Sequence, residues 1–204
     1  MEKSQIKIIV FDLGNVLIPF DYKIIIDNLN KIETGLGNKF ENLYAENYHV
    51  HQAFEKAEIS TDEFTKTMLG WLDNKIDAEQ FYHIYSDLFT VNEEMVELLP
   101  ILKQNYKLVL LSNTNYIHQK YGWEKYDFLN HFDKLILSHE VGARKPEENI
   151  YKAVESYTGE NPETHFFTDD VQEYVQAAKS LGWDAVQFRS ADEYKTALKE
   201  RNII

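Results

Sequence analysis

Residues 6–20 read IKIIVFDLGNVLIPF and carry the first strong structural pattern of this chain. Five of the six residues in 6–11 are apolar, and three consecutive ones are β-branched. Such a run predicts a strand that is buried on both faces of a parallel sheet. Asp12 follows the run, and Gly14 and Asn15 end it. Asp12 is therefore expected at the carboxyl end of a buried strand, where open α/β sheets place their ligand crevice, and an acid there can act as a nucleophile.

The composition indicates a globular chain of 204 residues, 44% of them hydrophobic, which suffices for one α/β domain or a core with a smaller subdomain. Acidic residues outnumber basic ones by 34 to 21, and the net charge of -13 argues against nucleic acid or an anionic membrane as a partner. The absence of cysteine excludes disulfides and thiolate metal sites. The N-terminus MEKSQ leads into a strand, and no apolar run approaches membrane-spanning length, so we expect a soluble, cytoplasmic protein.

Residues 20–91 predict a block of amphipathic helices between the first strand and the remaining chain. Their apolar residues recur at helical spacing, in the sets Ile25, Leu29 and Ile32; Phe64, Met68, Trp71 and Leu72; and Phe81, Tyr85, Leu88 and Phe89. Ser60 with Glu63, and Asp77 with Gln80, fit the capping box that opens a helix. We interpret this block as a helical cap inserted into a core formed by residues 1–19 and 92–204.

After residue 92 the pattern alternates between helices and strands. The helices are expected around Met95 to Leu102, at Ile117, through Ile150 and Val154, from Val171 to Leu181, and from Ala191 onward; the strands are expected at 107–111, 134–137, 164–168 and 184–188. Alternation of this kind predicts an α/β fold with a doubly wound, Rossmann-like parallel sheet.

Polar residues follow four of the predicted strands: Asp12, Ser112, Lys145, and the pair Asp169 and Asp170. Each one alone is more often a turn, loop or helix-capping residue than a catalytic one. Together these residues indicate a functional site more strongly than any one of them alone. The carboxyl ends of parallel strands share one edge of a sheet, so these side chains would converge there. Clustered acids repel one another unless a cation lies among them, so we expect Mg²⁺, a hard ion with oxygen ligands.

These segments resemble the haloacid dehalogenase superfamily, on its phosphatase side. The matching motifs are FDLGNVL, LLSNTN, GARKPE and FFTDD, in the family's order along the whole chain, with the helical block where the family carries its cap. The combination of DLGNV, LSNTN, RKPE and the cap segment EKAEISTDEF is similar to the α-glucose-1-phosphate phosphatase subgroup.

The resemblance implies a role for each matched residue. Asp12 would take the phosphoryl group as an aspartyl phosphate. Ser112 and the backbone amide of Asn113 would bind phosphoryl oxygens, and Lys145 would neutralise charge between the nucleophile and the phosphoryl group. The Mg²⁺ ligands would be Asp12, the carbonyl of Gly14 and Asp170, with Asp169 nearby through water.

Two motifs depart from the family's pattern. The commonest first motif has a second Asp two residues after the nucleophile as general acid and base, but this chain has Gly14 there. General acid-base help is typically worth 10²- to 10⁴-fold, so we expect a preference for substrates with stabilised leaving groups. In the last motif, Val171 and Tyr174 stand where polar residues are common, which predicts weaker Mg²⁺ binding or lower activity.

The cap supplies His49, His51 and Glu58 as candidate substrate contacts or as a substitute acid, although solvated surface residues are the commoner interpretation. The sequence thus predicts a Mg²⁺-dependent phosphatase of a small phosphorylated metabolite, with a sugar 1-phosphate as one candidate. Two alternatives stay open: a 2-haloacid dehalogenase, against which the acid pair argues, and a weakly active protein with a binding role. The sequence specifies neither the substrate nor the oligomeric state.

Overall fold

The computed structural model describes residues 5–204. Five strands form one sheet, namely β1 (Ile8–Phe11), β2 (Lys107–Ser112), β3 (Lys134–Leu137), β4 (His165–Asp169) and β5 (Asp184–Gln187). Their order in the sheet is β3-β2-β1-β4-β5, and all neighbouring pairs are parallel. The predicted α/β fold is confirmed, and β1 lies at the centre because β2 and β4 pair with it on either side.

The strand predictions are correct to within two residues at each end. β1 begins at Ile8 rather than at Ile6, and β5 ends at Gln187. β4 begins one residue late because Thr164 belongs to the 3₁₀ turn Pro162–Thr164, and it extends through Asp169, which we had expected just after the strand.

The sheet buries a hydrophobic cluster on each face, as a doubly wound fold requires. Alternate strand residues point to opposite faces, so Ile9 and Phe11 belong to one cluster while Ile8 and Val10 belong to the other. The helices α6 (Glu93–Val96), α7 (Leu99–Leu102) and α11 (Ala191–Glu200) cover the first face, and α9 (Glu148–Thr158) and α10 (Gln172–Ser180) cover the second.

Five helices lie within the predicted insertion, whose boundaries at 20 and 91 stay a prediction. They are α1 (Lys23–Ile32), α2 (Leu36–Glu46), α3 (Tyr48–Glu55), α4 (Thr61–Trp71) and α5 (Ala78–Ser86). Both predicted capping boxes are present, at Ser60 and at Asp77. The helices share a hydrophobic cluster of their own, and a bridge between Phe20 and Phe89 joins the two connections to the core.

Three details differ from the helix predictions. The helix expected around Met95 is divided into α6 and α7, because Pro100 has no N–H to offer the carbonyl four residues earlier. The helix expected at Ile117 becomes the π-helix His118–Trp123, and its contacts with α5 join the core to the cap. A short helix, α8 (Ser138–Val141), follows β3 and was not predicted. No helix of the described residues combines the length and the apolar character that crossing a membrane requires.

Candidate active site

The carboxyl edge of the sheet brings together the polar residues predicted from four separate segments. Asp12 follows β1, Ser112 ends β2 and Asp169 ends β4, so the three lie on the three central strands. Asp12 and Asp169 are 7% and 0% exposed, respectively. The hydroxyl of Ser112 makes a long hydrogen bond of 3.4 Å to the carbonyl of Asn113. All three side chains are thus withdrawn from bulk water at one place.

Lys145 is a buried cation that joins two of these acids. Its Nζ donates hydrogen bonds to Asp12 Oδ1 at 2.7 Å and to Asp169 Oδ2 at 2.5 Å, and its side chain is 1% exposed. Burial alone would lower the pKa of Lys145, but the two carboxylates raise it above its usual range. Lys145 therefore remains an ammonium ion beside the expected nucleophile.

The side chain of Asn113 holds the loop that carries Lys145. Asn113 Oδ1 accepts from the backbone N–H of Lys145 at 2.7 Å, and Nδ2 donates to the carbonyl of Lys145 at 3.0 Å. This pair of bonds ties the end of β2 to a loop 32 positions later in the chain. The side chain of Asn113 thus positions Lys145, while its backbone amide is the group for which phosphate binding was predicted.

Asp12, Asp169 and Asp170 form the cluster that the predicted magnesium site requires. One oxygen of each carboxylate lies within 4.8 Å of the others. Burial raises the pKa of Asp12 above its usual range; the ammonium of Lys145 opposes this rise, and the charges of Asp169 and Asp170 add to it. Burial also raises the pKa of Asp170, although the hydrogen bond that Asn15 Nδ2 donates to its carboxylate at 3.0 Å lowers it. A divalent cation with oxygen ligands would relieve this repulsion, so the donor set fits Mg²⁺.

An acid at position 14, which the family commonly carries there, would have to displace the ring of Phe20. A Cβ atom on Gly14 would lie 2.9 Å from Cε1 of Phe20, closer than real Cβ atoms approach a neighbour. The ring of Phe20 therefore takes part of the space that a longer side chain would need. Both residues line the cleft in front of Asp12.

The cleft between the sheet edge and the cap has a volume of about 220 Å³. It contains only one of the three cap residues expected to contact substrate, His51. His49 is exposed on α3 and outside the cleft, and Glu58 is exposed and paired with Lys56 at 2.8 Å. Glu58 belongs to the connection after α3 rather than to the helix, and local sequence cannot tell which residues of this segment face the cleft.

Glu55 and Arg144 line the cleft and were not predicted. Glu55, one helical turn after His51, accepts from His51 Nε2 at 3.1 Å and from Arg144 Nε at 3.0 Å. Burial would raise the pKa of Glu55, but His51 and Arg144 keep it below its usual value, so the carboxylate is ionised. The available signals were the i,i+4 spacing of His51 and Glu55 and the position of Arg144 directly before Lys145.

The two departures in the last motif have structural roles at the site. The ring of Tyr174 lies 5.3 Å from Lys145 Nζ, within the range of a cation-π interaction. The backbone N–H of Val171 donates to Asp169 Oδ1 at 2.8 Å, so a carboxylate oxygen is held by main chain rather than by a polar side chain. Whether these substitutions weaken Mg²⁺ binding stays a prediction.

The family model described as haloacid dehalogenase-like hydrolase matches residues 6–182. This chain belongs to that family of hydrolases. The match covers β1 through α10, with the strands, the helical insertion and the clustered acids described above. The superfamily predicted from the motifs is confirmed, whereas the likeness to the α-glucose-1-phosphate phosphatase subgroup stays a prediction.

Relatives from Bacteroides thetaiotaomicron are similar over nearly the whole length. A D-ribitol-5-phosphate phosphatase is 26% identical, and the match covers 95% of this chain and 97% of the relative. The crystal structure of the enzyme bt-2542, a wild-type complex with magnesium and inorganic phosphate, is 30% identical with a TM-score of 0.80 and covers 90% of this chain and 94% of that one. An L-2-haloacid dehalogenase from Xanthobacter autotrophicus shares the fold, with 18% identity and a TM-score of 0.64. The match covers 98% of this chain and 84% of that one.

Proposed function

We propose that this hydrolase is a Mg²⁺-dependent phosphatase of small phosphorylated metabolites and that Asp12 forms an aspartyl phosphate. The observation that carries the proposal is the buried array in which Lys145 Nζ bonds both Asp12 and Asp169 while Asp170 completes a cluster of acids. The magnesium and phosphate complex of bt-2542, a relative of similar length, supports the same assignment.

The residues of the cleft suit each step of phosphoryl transfer. A carboxylate oxygen of Asp12 would bond to phosphorus as the bond from phosphorus to the leaving oxygen breaks; water would then attack phosphorus and release phosphate and free Asp12. Ser112, Asn113 and Lys145 line the cleft. Ser112 and the amide of Asn113 would bind phosphoryl oxygens, and Lys145 would offset their negative charge. The ion held by Asp12, Asp170, the carbonyl of Gly14 and, through water, Asp169 would supply Lewis-acid charge stabilisation.

The proposed substrates are polyol or sugar phosphates. The relative that dephosphorylates D-ribitol 5-phosphate makes a pentitol phosphate the first candidate, and the motif resemblance keeps a sugar 1-phosphate as the second. The two differ in their leaving groups, since a primary alkoxide is poorer than an anomeric one. Because position 14 is glycine and supplies no acid, cleavage of the bond to the leaving oxygen, rather than substrate binding, is expected to limit turnover of the pentitol ester.

One assay tests this function against its alternatives. Phosphate release from p-nitrophenyl phosphate and D-ribitol 5-phosphate is measured with Mg²⁺ and with EDTA, beside chloride release from 2-chloropropionate, for wild type and Asp12→Asn. Phosphate release that requires both Mg²⁺ and Asp12 is the expected result. Chloride release unaffected by EDTA would instead identify a dehalogenase, and no turnover of any phosphate ester in a metabolite panel would favour a binding role.

A further inference from the structure

Arg144 lines the same cleft as Asp12 but has no part in the chemistry proposed above. It lies directly before Lys145 in the chain, and the cap holds its guanidinium, because Nε donates to Glu55 Oε2 at 3.0 Å. Glu55 ends the cap helix α3, whereas Lys145 Nζ bonds Asp12 at the carboxyl edge of the sheet. The guanidinium of Arg144 therefore lies on the side of the cleft that the cap forms.

Three of the hydrogen-bond donors of Arg144 are unused within the protein. A guanidinium carries five N–H groups. Glu55 takes the Nε–H, and the hydroxyl of Tyr48 is close enough to take a second, so three remain without a partner among residues 5–204. Buried side-chain atoms of the described chain that lack a partner lie in four other residues, His118, His139, Thr168 and Tyr194. The terminal nitrogens of Arg144, Nη1 and Nη2, therefore keep surface that a molecule in the cleft can reach.

The charges around Arg144 favour a neutral partner for these donors. Partial burial would lower the pKa of Arg144, but the charge of Glu55 raises it, and Glu55 is itself ionised. The two side chains form an ion pair whose charges offset each other. A second anionic group of a substrate would meet the charge of Glu55 together with that of the three acids at the sheet edge. Hydroxyl oxygens accept hydrogen bonds without this repulsion.

We propose that Arg144 is a substrate-binding residue whose terminal N–H groups donate to hydroxyl oxygens of the organic part of the substrate. The inference rests on the proposed phosphatase function and assigns the residue that selects polyol and sugar esters over esters without hydroxyls. Neighbouring hydroxyls are the best match, because the N–H groups of a guanidinium form a rigid planar fork. Glu55 is then a positioning residue, since its bond to Nε fixes the direction of that fork.

The experiment compares phosphate esters with and without hydroxyls. We would measure kcat/KM for D-ribitol 5-phosphate and α-D-glucose 1-phosphate, which carry hydroxyls, and for n-pentyl phosphate and p-nitrophenyl phosphate, which carry none. The variants are Arg144→Met, which removes all donors, and Arg144→Lys, which keeps the positive charge beside Glu55 but lacks the planar fork. Arg201→Met is the matched control, because Arg201 is also paired with an acid, Asp184, but lies outside the cleft.

We expect Arg144→Met to lower kcat/KM for the two hydroxylated esters about tenfold or more beyond its effect on the other two. This is the effect of one hydrogen bond from a charged group. Arg144→Lys should show the same selectivity with a smaller loss, and it keeps the test valid if Arg144→Met does not fold. Arg201→Met should show no selectivity between the two kinds of ester.

Equal losses on all four esters in the Arg144 variants would overturn the proposal, because a purely structural ion pair would produce them. A larger loss on phosphoglycolate, an ester with a carboxylate, than on the hydroxylated esters would also overturn it, since it would indicate a site for a second anion. Wild-type turnover of p-nitrophenyl phosphate without preference for either hydroxylated ester over n-pentyl phosphate would refute the inference alone. The absence of any Mg²⁺-dependent phosphate release would refute the proposed function with it.

Discussion

At the scale of single residues, Gly14 and Phe20 determine which leaving groups the cleft can assist. No acid stands at position 14, and Glu55 on the cap side of the cleft is ionised and bonded to His51 at 3.1 Å, so it offers no proton. A leaving oxygen therefore departs without a dedicated proton donor. Its own basicity should then govern the rate of the chemical step.

This predicts a steep dependence on the leaving group. Across phosphate monoesters of rising leaving-group pKa, from p-nitrophenyl phosphate to simple alkyl phosphates, kcat/KM should fall by about 10²-fold or more. Gly14→Asp alone should not restore the alkyl esters, because its Cβ would meet the ring of Phe20, whereas Gly14→Asp with Phe20→Ala should flatten the dependence. Equal kcat/KM across leaving groups in the wild type would contradict this account.

His118 predicts a pH dependence of stability that is separate from catalysis. Burial lowers its pKa to about 3 in the folded protein, below the unfolded value of 6.5, so the folded state binds fewer protons between these values. The neutral form of this histidine therefore contributes stability that is present above pH 6.5 and is lost as the pH falls toward 3, by up to about 1.4 kcal/mol per pH unit. Urea unfolding from pH 7 to 4 should show a smaller loss in His118→Gln than in wild type, and parallel curves would rule out this linkage.

At the scale of secondary structure elements, α1 and α2 approach so closely that only glycine fits at their contact. A Cβ on Gly37 would lie 2.1 Å from the carbonyl oxygen of Ile26, and backbone cannot move aside cheaply. Gly37→Ala should therefore lower the free energy of unfolding by about 3 kcal/mol or more. Gly70 in α4 has open space and a helical position, so Gly70→Ala should raise it by about 0.5–1 kcal/mol. Denaturant titration of both variants measures these free energies. Unchanged or higher stability of Gly37→Ala, or lower stability of Gly70→Ala, would contradict the respective prediction.

The same elements show what the sequence could predict. All five strands and both capping boxes follow from local patterns, since apolar runs and the Ser60 and Asp77 caps need no distant partner. The site residues Asp12, Ser112, Asp169 and Asp170 follow from topology, because parallel strands end at one edge. The π-helix at His118 could not be predicted, since it depends on packing against α5.

The face of a cap helix that meets the cleft was also beyond local reasoning. His49, His51 and Glu55 lie within one helix, α3, and only its packing against the core decides which of them is buried. Glu55 is recognisable as a site residue through Arg144, which lies 89 positions later in the chain. Such long-range pairs are fixed by the tertiary structure and leave no local signature.

At the scale of the whole molecule, the pair of Glu55 and Arg144 connects the cap to the loop of Lys145. Both side chains are largely withdrawn from water, at 7% and 14% exposure. Removing one partner would leave a partly buried charge unpaired. A double-mutant cycle with Glu55→Gln and Arg144→Met should give a coupling energy of about 1–3 kcal/mol in unfolding. The exposed pair of Lys39 and Asp73 is the control, with less than about 1 kcal/mol expected, and equal coupling in both cycles would contradict a cap-to-core link.

The proposed mechanism requires that Asp12 carries the phosphoryl group during turnover. The most direct measurement is mass spectrometry of the enzyme after rapid acid quench during turnover of p-nitrophenyl phosphate with Mg²⁺. A fraction of the protein should be heavier by one phosphoryl group, located on the peptide that contains Asp12 and missing in Asp12→Asn or with EDTA. Phosphate release that continues in Asp12→Asn, or burst kinetics with the added mass on a different residue, would contradict it.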